Sequence, residues 1–184
     1  MILSTCKEII NERRSVRSFT NEKISEEELL DILDCGRQAP SSKNYQPWRF
    51  YILNDEEKRN LYDMMMDTLN KNNTEKTGLA TAKILNDAGQ VVVVYADRET
   101  LKAKDSGMYS LMLSVGACIE NMLLRATELG VATLWMYDVV VVAKELEEMY
   151  CPDGMFVSAI CFGKEDKVLP RAKKKDLKDL IVNK

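Results

Sequence analysis

Between Met108 and Leu129 the apolar residues Met108, Leu111, Met112, Val115, Ile119, Met122, Leu123, Ala126 and Leu129 recur at i, i+3, i+4 and i+7. That period predicts one amphipathic helix of about six turns. Ala117 and Cys118 widen its stripe, and Ser110, Ser114 and Gly116 leave room for a close neighbour. Periodicity admits two readings, an ordinary core helix or a helix at the centre of a dimer. Gly130 stops the pattern.

Shorter patterns flank this helix. Leu3, Cys6, Ile9 and Ile10 fall at helical spacing and predict a helix over 3–12. Ser25-Glu26-Glu27-Glu28 is a capping box. It opens a helix with the stripe Leu29, Leu30, Ile32 and Leu33, and Gly36 is placed at its end. A polar loop over 37–47 leads into a strand from Trp48 to Leu53, and Asn54 or Asp55 caps a helix reaching about Leu69. Residues 70–78 read as a polar, mobile loop. Val91 to Ala96 is a near-continuous β-branched run, the mark of a strand covered on both faces. Val131 to Met136 and Met155 to Phe162 are further strands, with a short helix between Val140 and Tyr150. Interleaved helices and short strands predict an α+β or three-layer α/β fold. With no repeat, low-complexity block or linker in the chain, residues 1–184 read as one domain.

Composition changes this picture little. A hydrophobic fraction of 46% beside 30% charged residues is ordinary for a soluble globular protein. Charge distribution says more than the net value of −3. Residues 164–184 carry eight Lys/Arg against four Asp/Glu, a basic tail on an acidic body. Such a tail is either a solvated segment or part of an anion site. The acidic body weighs against nucleic acid as a partner. Five cysteines without Cys-x-x-Cys spacing suit a reducing cytosol, and no segment has the length or character of a signal peptide or membrane span. The chain has no histidine, which removes the usual general base, the common zinc ligand and imidazole-based triads, so no metal is expected. In an enzyme of this composition, a cofactor carries the chemistry.

Two segments carry candidate chemistry. Arg13-Arg14-Ser15-Val16-Arg17 gathers three guanidinium groups and a hydroxyl, which suits a phosphate. Ala39-Pro40-Ser41-Ser42-Lys43-Asn44-Tyr45-Gln46-Pro47-Trp48 is dense in hydrogen-bonding side chains, fixed by two prolines and closed by an aromatic. A solvated basic turn and an ordinary polar turn are the alternatives for each segment taken alone. Neither a G-x-G-x-x-G nor a G-x-x-x-x-G-K-[ST] motif is present.

In order and spacing these segments resemble the nitroreductase family, as do Leu129-Gly130-Val131-Ala132-Thr133-Leu134-Trp135-Met136, Ile160-Cys161-Phe162-Gly163 and the basic end. The resemblance covers most of the chain. It implies an α+β, three-layer fold with a central mixed, mainly antiparallel sheet flanked by helices. It also implies a homodimer with a long central helix and two FMN sites at the interface. Carried over, Arg13, Arg14 and Ser15 face the FMN phosphate and ribityl chain, and Arg17 reaches the pyrimidine edge. Pro40, Ser41, Ser42 and Asn44 come from the other subunit to line the flavin ring. Leu134 and Trp135 lie under one flavin face, with Met136 and the backbone of Tyr137 and Asp138 near N5. Lys174 matches the family's late phosphate-binding Arg, with Arg171 as its neighbour. The family often has Gly-Gly or Glu-Gly where this chain has Tyr137-Asp138. The implied activity is two-electron transfer from NADH or NADPH through FMN to a nitroaromatic, quinone or similar acceptor, by a ping-pong mechanism. The alternatives are a flavin storage or sensing module of the same fold and a nucleic-acid-associated protein using the basic tail.

Overall fold

The computed structural model describes residues 5–71, 76–102 and 107–182. Leu3 and the middle of the expected loop, residues 72–75, lie outside them. Local chemistry sets the first helices. Thr5 caps α1 (Cys6–Glu12) and Ser25 caps α2 (Glu26–Arg37), each in a reciprocal box with the Glu three residues on. Asn54 does the same for α3 (Asp55–Lys71): Glu57 N donates to Asn54 Oδ1 at 2.9 Å and Asn54 N to Glu57 Oε2 at 2.8 Å.

The expectation that Gly36 ends α2 is corrected, since the helix runs on to Arg37 and Gln38 caps it. Gly36 instead permits helix contact. A Cβ there would sit 2.5 Å from Met122 Cγ and 3.2 Å from Cys118 Sγ on the long helix. The expected 70–78 loop is corrected too, because α4 (Lys76–Asp87) begins within it. Ala82 and Leu85 bury one side of α4 against α3, and that packing holds a helix whose polar flanks and Gly78 obscure its period.

Four strands follow the expected order: β1 (Trp48–Ile52), β2 (Gln90–Asp97), β3 (Ala132–Met136) and β4 (Gly154–Gly163). They pair as β1-β2-β4-β3, every ladder antiparallel, with a bulge in β4 opposite Val94 and Tyr95. One parallel bridge, Ser15 to Thr133, gives the sheet its mixed character. Central β2 has Val91 to Ala96 buried on both faces. Val92, Val94 and Ala96 face α2 and α6 (Met108–Glu128), while Val91, Val93 and Tyr95 face α3 and α4. Short α5 (Arg98–Leu101) follows β2. A 3-10 turn at Asp138–Val142 leads into α7 (Ala143–Tyr150), which closes the α3/α4 layer through Leu146.

The long helix keeps its predicted stripe: Leu111, Val115, Cys118, Ile119, Met122, Leu123 and Ala126 are buried. Fully burying a Leu, Ile or Met contributes roughly 1.5–3 kcal/mol. Gly130, at φ 74, ends α6 in a Schellman motif, with Val131 N to Ala126 O at 2.8 Å and Gly130 N to Thr127 O at 3.0 Å. That turn sends the chain straight into edge strand β3. Among the described residues no helix is long and apolar enough to cross a membrane.

Candidate cofactor site

The arginine segment leaves α1 in extended conformation and lies along the free edge of β3, where Val16 N donates to Thr133 O at 2.8 Å. The chain beyond β4 then closes over this segment. Thr20 N donates to Lys164 O at 3.1 Å, Asp166 N donates to Ser18 O at 3.0 Å, and Phe19 bridges Glu165. Further on, Arg14 Nη2 donates to Leu169 O and pairs with Glu165 at 3.4 Å. Arg171 donates to Asn11 O and, at 2.6 Å, to Glu12 O, and pairs with the Glu12 carboxylate at 2.8 Å. The start of the basic tail and the N-terminal segment are therefore bonded side by side.

A cavity of about 310 Å³ opens where this edge meets α6, and Arg13, Arg14, Ser15, Glu120, Thr133 and Trp135 line it with Leu123. A second cavity, of about 280 Å³, adjoins it through Arg14 and Thr133 and reaches Arg171 and Glu165. Arg13 pairs with Glu120 at 3.5 Å, so each of Arg13, Arg14 and Arg171 has a carboxylate neighbour. Arg14 Nε is buried and has no hydrogen-bond partner among the described residues. A buried guanidinium N–H of this kind carries a desolvation cost that an anionic oxygen would offset. A larger cavity, near 390 Å³, lies beside Lys58, whose buried Nζ donates to Asn21 Oδ1 at 2.9 Å and Ala88 O at 2.6 Å. Those groups satisfy one another and tie α3 to the end of α4.

Of the residues singled out in the sequence, Arg13, Arg14, Ser15 and Trp135 come together in one cleft. Arg17 is exposed and bends back, its Nη1 donating to Ser15 O at 3.3 Å. Strand alternation separates Trp135 from its neighbours. Trp135 is 42% exposed on the α6 side, whereas Leu134 and Met136 are buried in the α3/α4 layer. Thr133 O points to the free edge, so the main-chain groups of Trp135 point there also. Tyr137 and Asp138 are exposed at the end of β3, where Asp138 Oδ2 accepts from Thr81 Oγ1 of α4 at 2.7 Å.

Pro40, Ser41, Ser42 and Asn44 line neither of these adjoining cavities. Their loop rests on the N-terminal half of α6, where Ser42 N donates to Ser114 Oγ at 3.0 Å. Lys174 is exposed in the tail, and Arg171, three residues earlier, makes the contacts to the N-terminal segment. Glu12, Glu120, Glu165 and Leu123 are site neighbours that motif reading missed, while Thr133 lies in the 129–136 motif without a role assigned to it. The missed residues are scattered along the chain, and only the fold collects them. Burial pushes the thiols of Cys118 and Cys161 up to about 12 and raises those of Cys35 and Cys151, so none of these four is an activated nucleophile.

Fold and cleft together define a three-layer α+β protein with an arginine-lined groove along its edge strand. The family model described as Nitroreductase family matches residues 10–164. A Bacillus subtilis protein provisionally named an NAD(P)H nitroreductase is 27% identical over 152 residues, 80% of this chain and 76% of that one. An Archaeoglobus fulgidus protein, provisionally named an NADH dehydrogenase/NAD(P)H nitroreductase, is 30% identical over 135 residues, 73% of this chain and 68% of its own. A crystal structure of a Desulfitobacterium hafniense nitroreductase with bound FMN superposes with a TM-score of 0.81 at 22% identity, covering 98% of both chains. The chain belongs to the nitroreductase family.

Proposed function

We propose that this protein is an FMN-dependent oxidoreductase of the nitroreductase type, one domain per subunit, acting in the cytosol as a homodimer with NADH or NADPH as electron donor. The observation that carries the reading is the convergence of Arg13, Arg14, Ser15 and Trp135 on one cleft. Relatives named NAD(P)H nitroreductase support the activity, and a neighbour of the same fold crystallised with FMN supports the cofactor.

The donor set fits a flavin mononucleotide. Arg13, Arg14 and Ser15 would hold its phosphate and ribityl chain, with Arg171 and Lys174 adding charge from the tail. Arg17, exposed and donating to Ser15 O at 3.3 Å, would swing toward the pyrimidine edge. The indole of Trp135 offers an aromatic surface in the groove. Leu134 and Met136 anchor β3 from the opposite layer, fixing the register that presents Trp135.

Bound FMN would supply the two-electron chemistry between NAD(P)H and a nitroaromatic, quinone or similar acceptor. The protein's own part is to position and to exclude water. No histidine is present and burial holds the core thiols protonated, and the carboxylate that lines the cleft beside Trp135, Glu120, is paired with Arg13.

A second subunit completes the cleft. Tyr109 is 87% and Leu113 75% exposed on α6, next to Gly116. Two copies of α6 packed antiparallel about Gly116 would set residue 114 of one subunit, with its Ser42 loop, opposite residue 118 of the other, about one helical turn from the cleft at residues 120–123. Pro40, Ser41, Ser42 and Asn44 would then face the flavin across the interface.

An absorption spectrum of the purified protein tests the cofactor, and stopped-flow mixing with NADH or NADPH tests the reaction. Expected are a flavin spectrum, one FMN released per chain on denaturation, rapid bleaching, and parallel double-reciprocal plots in the steady state. A colourless protein indifferent to added FMN would refute the reading. Slow bleaching points instead to storage, and intersecting plots refute the shared donor and acceptor pocket.

A further inference from the structure

We propose that Ser114 is a positioning residue for the cofactor site, acting through the loop at 40–47; this rests on the reading of that loop as a wall of the flavin pocket. The loop is held in an unusual backbone conformation. Lys43, Asn44 and Gln46 have φ of 49°, 57° and 48°, the left-handed region that residues with a Cβ seldom occupy. Three such residues within four positions persist only where the surroundings over-determine them. The sequence offers no glycine there to relieve the strain.

Two serine hydroxyls add to the loop's own turn bonds, Asn44 N to Ser41 O and Tyr45 N to Ser42 O, each at 3.0 Å. Within the loop, Ser41 Oγ accepts from Gln46 N at 2.9 Å. From outside it, Ser114 Oγ accepts from Ser42 N at 3.0 Å. The Ser114 hydroxyl proton is already committed, donated to Ser110 O one turn back at 2.8 Å. Its lone pairs are therefore aimed away from the helix axis, toward the Ser42 amide. Ser114 is 6% exposed, so water does not replace this acceptor readily. The loop otherwise touches α6 through its short 3-10 turn (Ser42–Asn44), and Ser114 is where a rigid helix grips a strained segment.

The same stretch of α6 turns Leu113 outward at the proposed dimer face. One turn of helix thus relates the subunit interface to the loop that crosses it. Ser114 touches no ligand in this scheme. It sets where the Ser41, Ser42 and Asn44 groups stand.

The test compares the FMN-loaded wild type with S114A and S114T by amide hydrogen exchange and by titration with FMN. S114A is expected to speed exchange at Ser42 and Gln46, leave β2 protected, and weaken FMN binding about tenfold, the scale of one net hydrogen bond. The bound flavin's visible spectrum should shift with it, and S114T, which keeps the hydroxyl, should restore both. S114C fills the same place with a poor acceptor and serves if S114A does not fold. Unchanged exchange at Ser42 in the variant overturns the proposal. So does faster exchange with FMN affinity and spectrum unaltered, since the loop would then stand apart from the cofactor. A wild type that takes up no FMN strikes the function itself and is read separately from the variants.

Discussion

Ser25 donates from its backbone N–H and its hydroxyl to Glu28 Oε2, at 2.9 and 2.8 Å, and those two bonds hold the Glu28 carboxyl below its ordinary value of 4.5. Partial burial opposes the shift and Lys164 adds to it. The native state therefore binds fewer protons than the unfolded chain between the lowered value and 4.5. This contribution to stability is complete above 4.5 and disappears as pH falls through the folded-state value. E28Q should lower stability at neutral pH and flatten its decline in acid, as denaturant melts across the acidic range would measure. An identical acid profile in the variant would refute the assignment. The box was legible in the sequence because it spans four residues, and the Thr5 box at α1 carries the same signal. Gly36 was misread for the opposite reason. What requires a glycine there is Met122, 86 positions away, and no local pattern reports a close helix crossing.

At the scale of elements, the pairing of the tail with the arginine segment separates two basic residues that the sequence left together. Arg171 reaches Glu12 and the end of α1, whereas Lys174 is exposed. R171A should therefore release FMN faster than K174A, and limited proteolysis should cut the R171A tail sooner. Equal rates would remove the distinction between the two residues, and faster loss from K174A would favour Lys174 as the phosphate contact. R13A and S15A should likewise lose FMN, judged against K144A, whose long side chain is 85% exposed on α7. Lys58 would be a poor control, because its removal leaves Ala88 O without its buried donor. Helices and strands were read well wherever a long period or a β-branched run marked them, as in α6 and β2. The strand order β1-β2-β4-β3 was not, because pairing joins segments far apart in sequence. Trp135 was legible as a site residue, but its separation from Leu134 and Met136 needed the strand's actual faces.

At the scale of the molecule, α6 has a second face that the single chain leaves uncovered. Tyr109 and Leu113 are the most exposed large apolar residues of that helix, at 87% and 75%. Gly116 follows on the same side, and a Cβ placed there meets nothing within 4 Å. Glycine inside a helix costs about 1 kcal/mol relative to alanine, so a glycine with open space around it gains nothing within its own chain. A second helix lying close at that point supplies the reason for it. In an antiparallel, two-fold contact centred on Gly116, Leu113 of each copy would lie against the partner's α6, and a charge there would lose its water. Within one subunit the same change is cheap, since an exposed position away from the core usually shifts stability by less than about 0.5 kcal/mol. L113E should therefore keep the melting temperature of the isolated subunit and reduce the solution mass from twice 21.0 kDa to 21.0 kDa, as light scattering on an eluting column would show. In the proposed dimer the Ser42 loop reaches the flavin across this contact, so the monomer should also lose FMN while its arginines remain intact. A monomeric L113E that holds FMN as tightly as wild type would mean that each cleft is complete within one chain, and the loop at 40–47 would need another role.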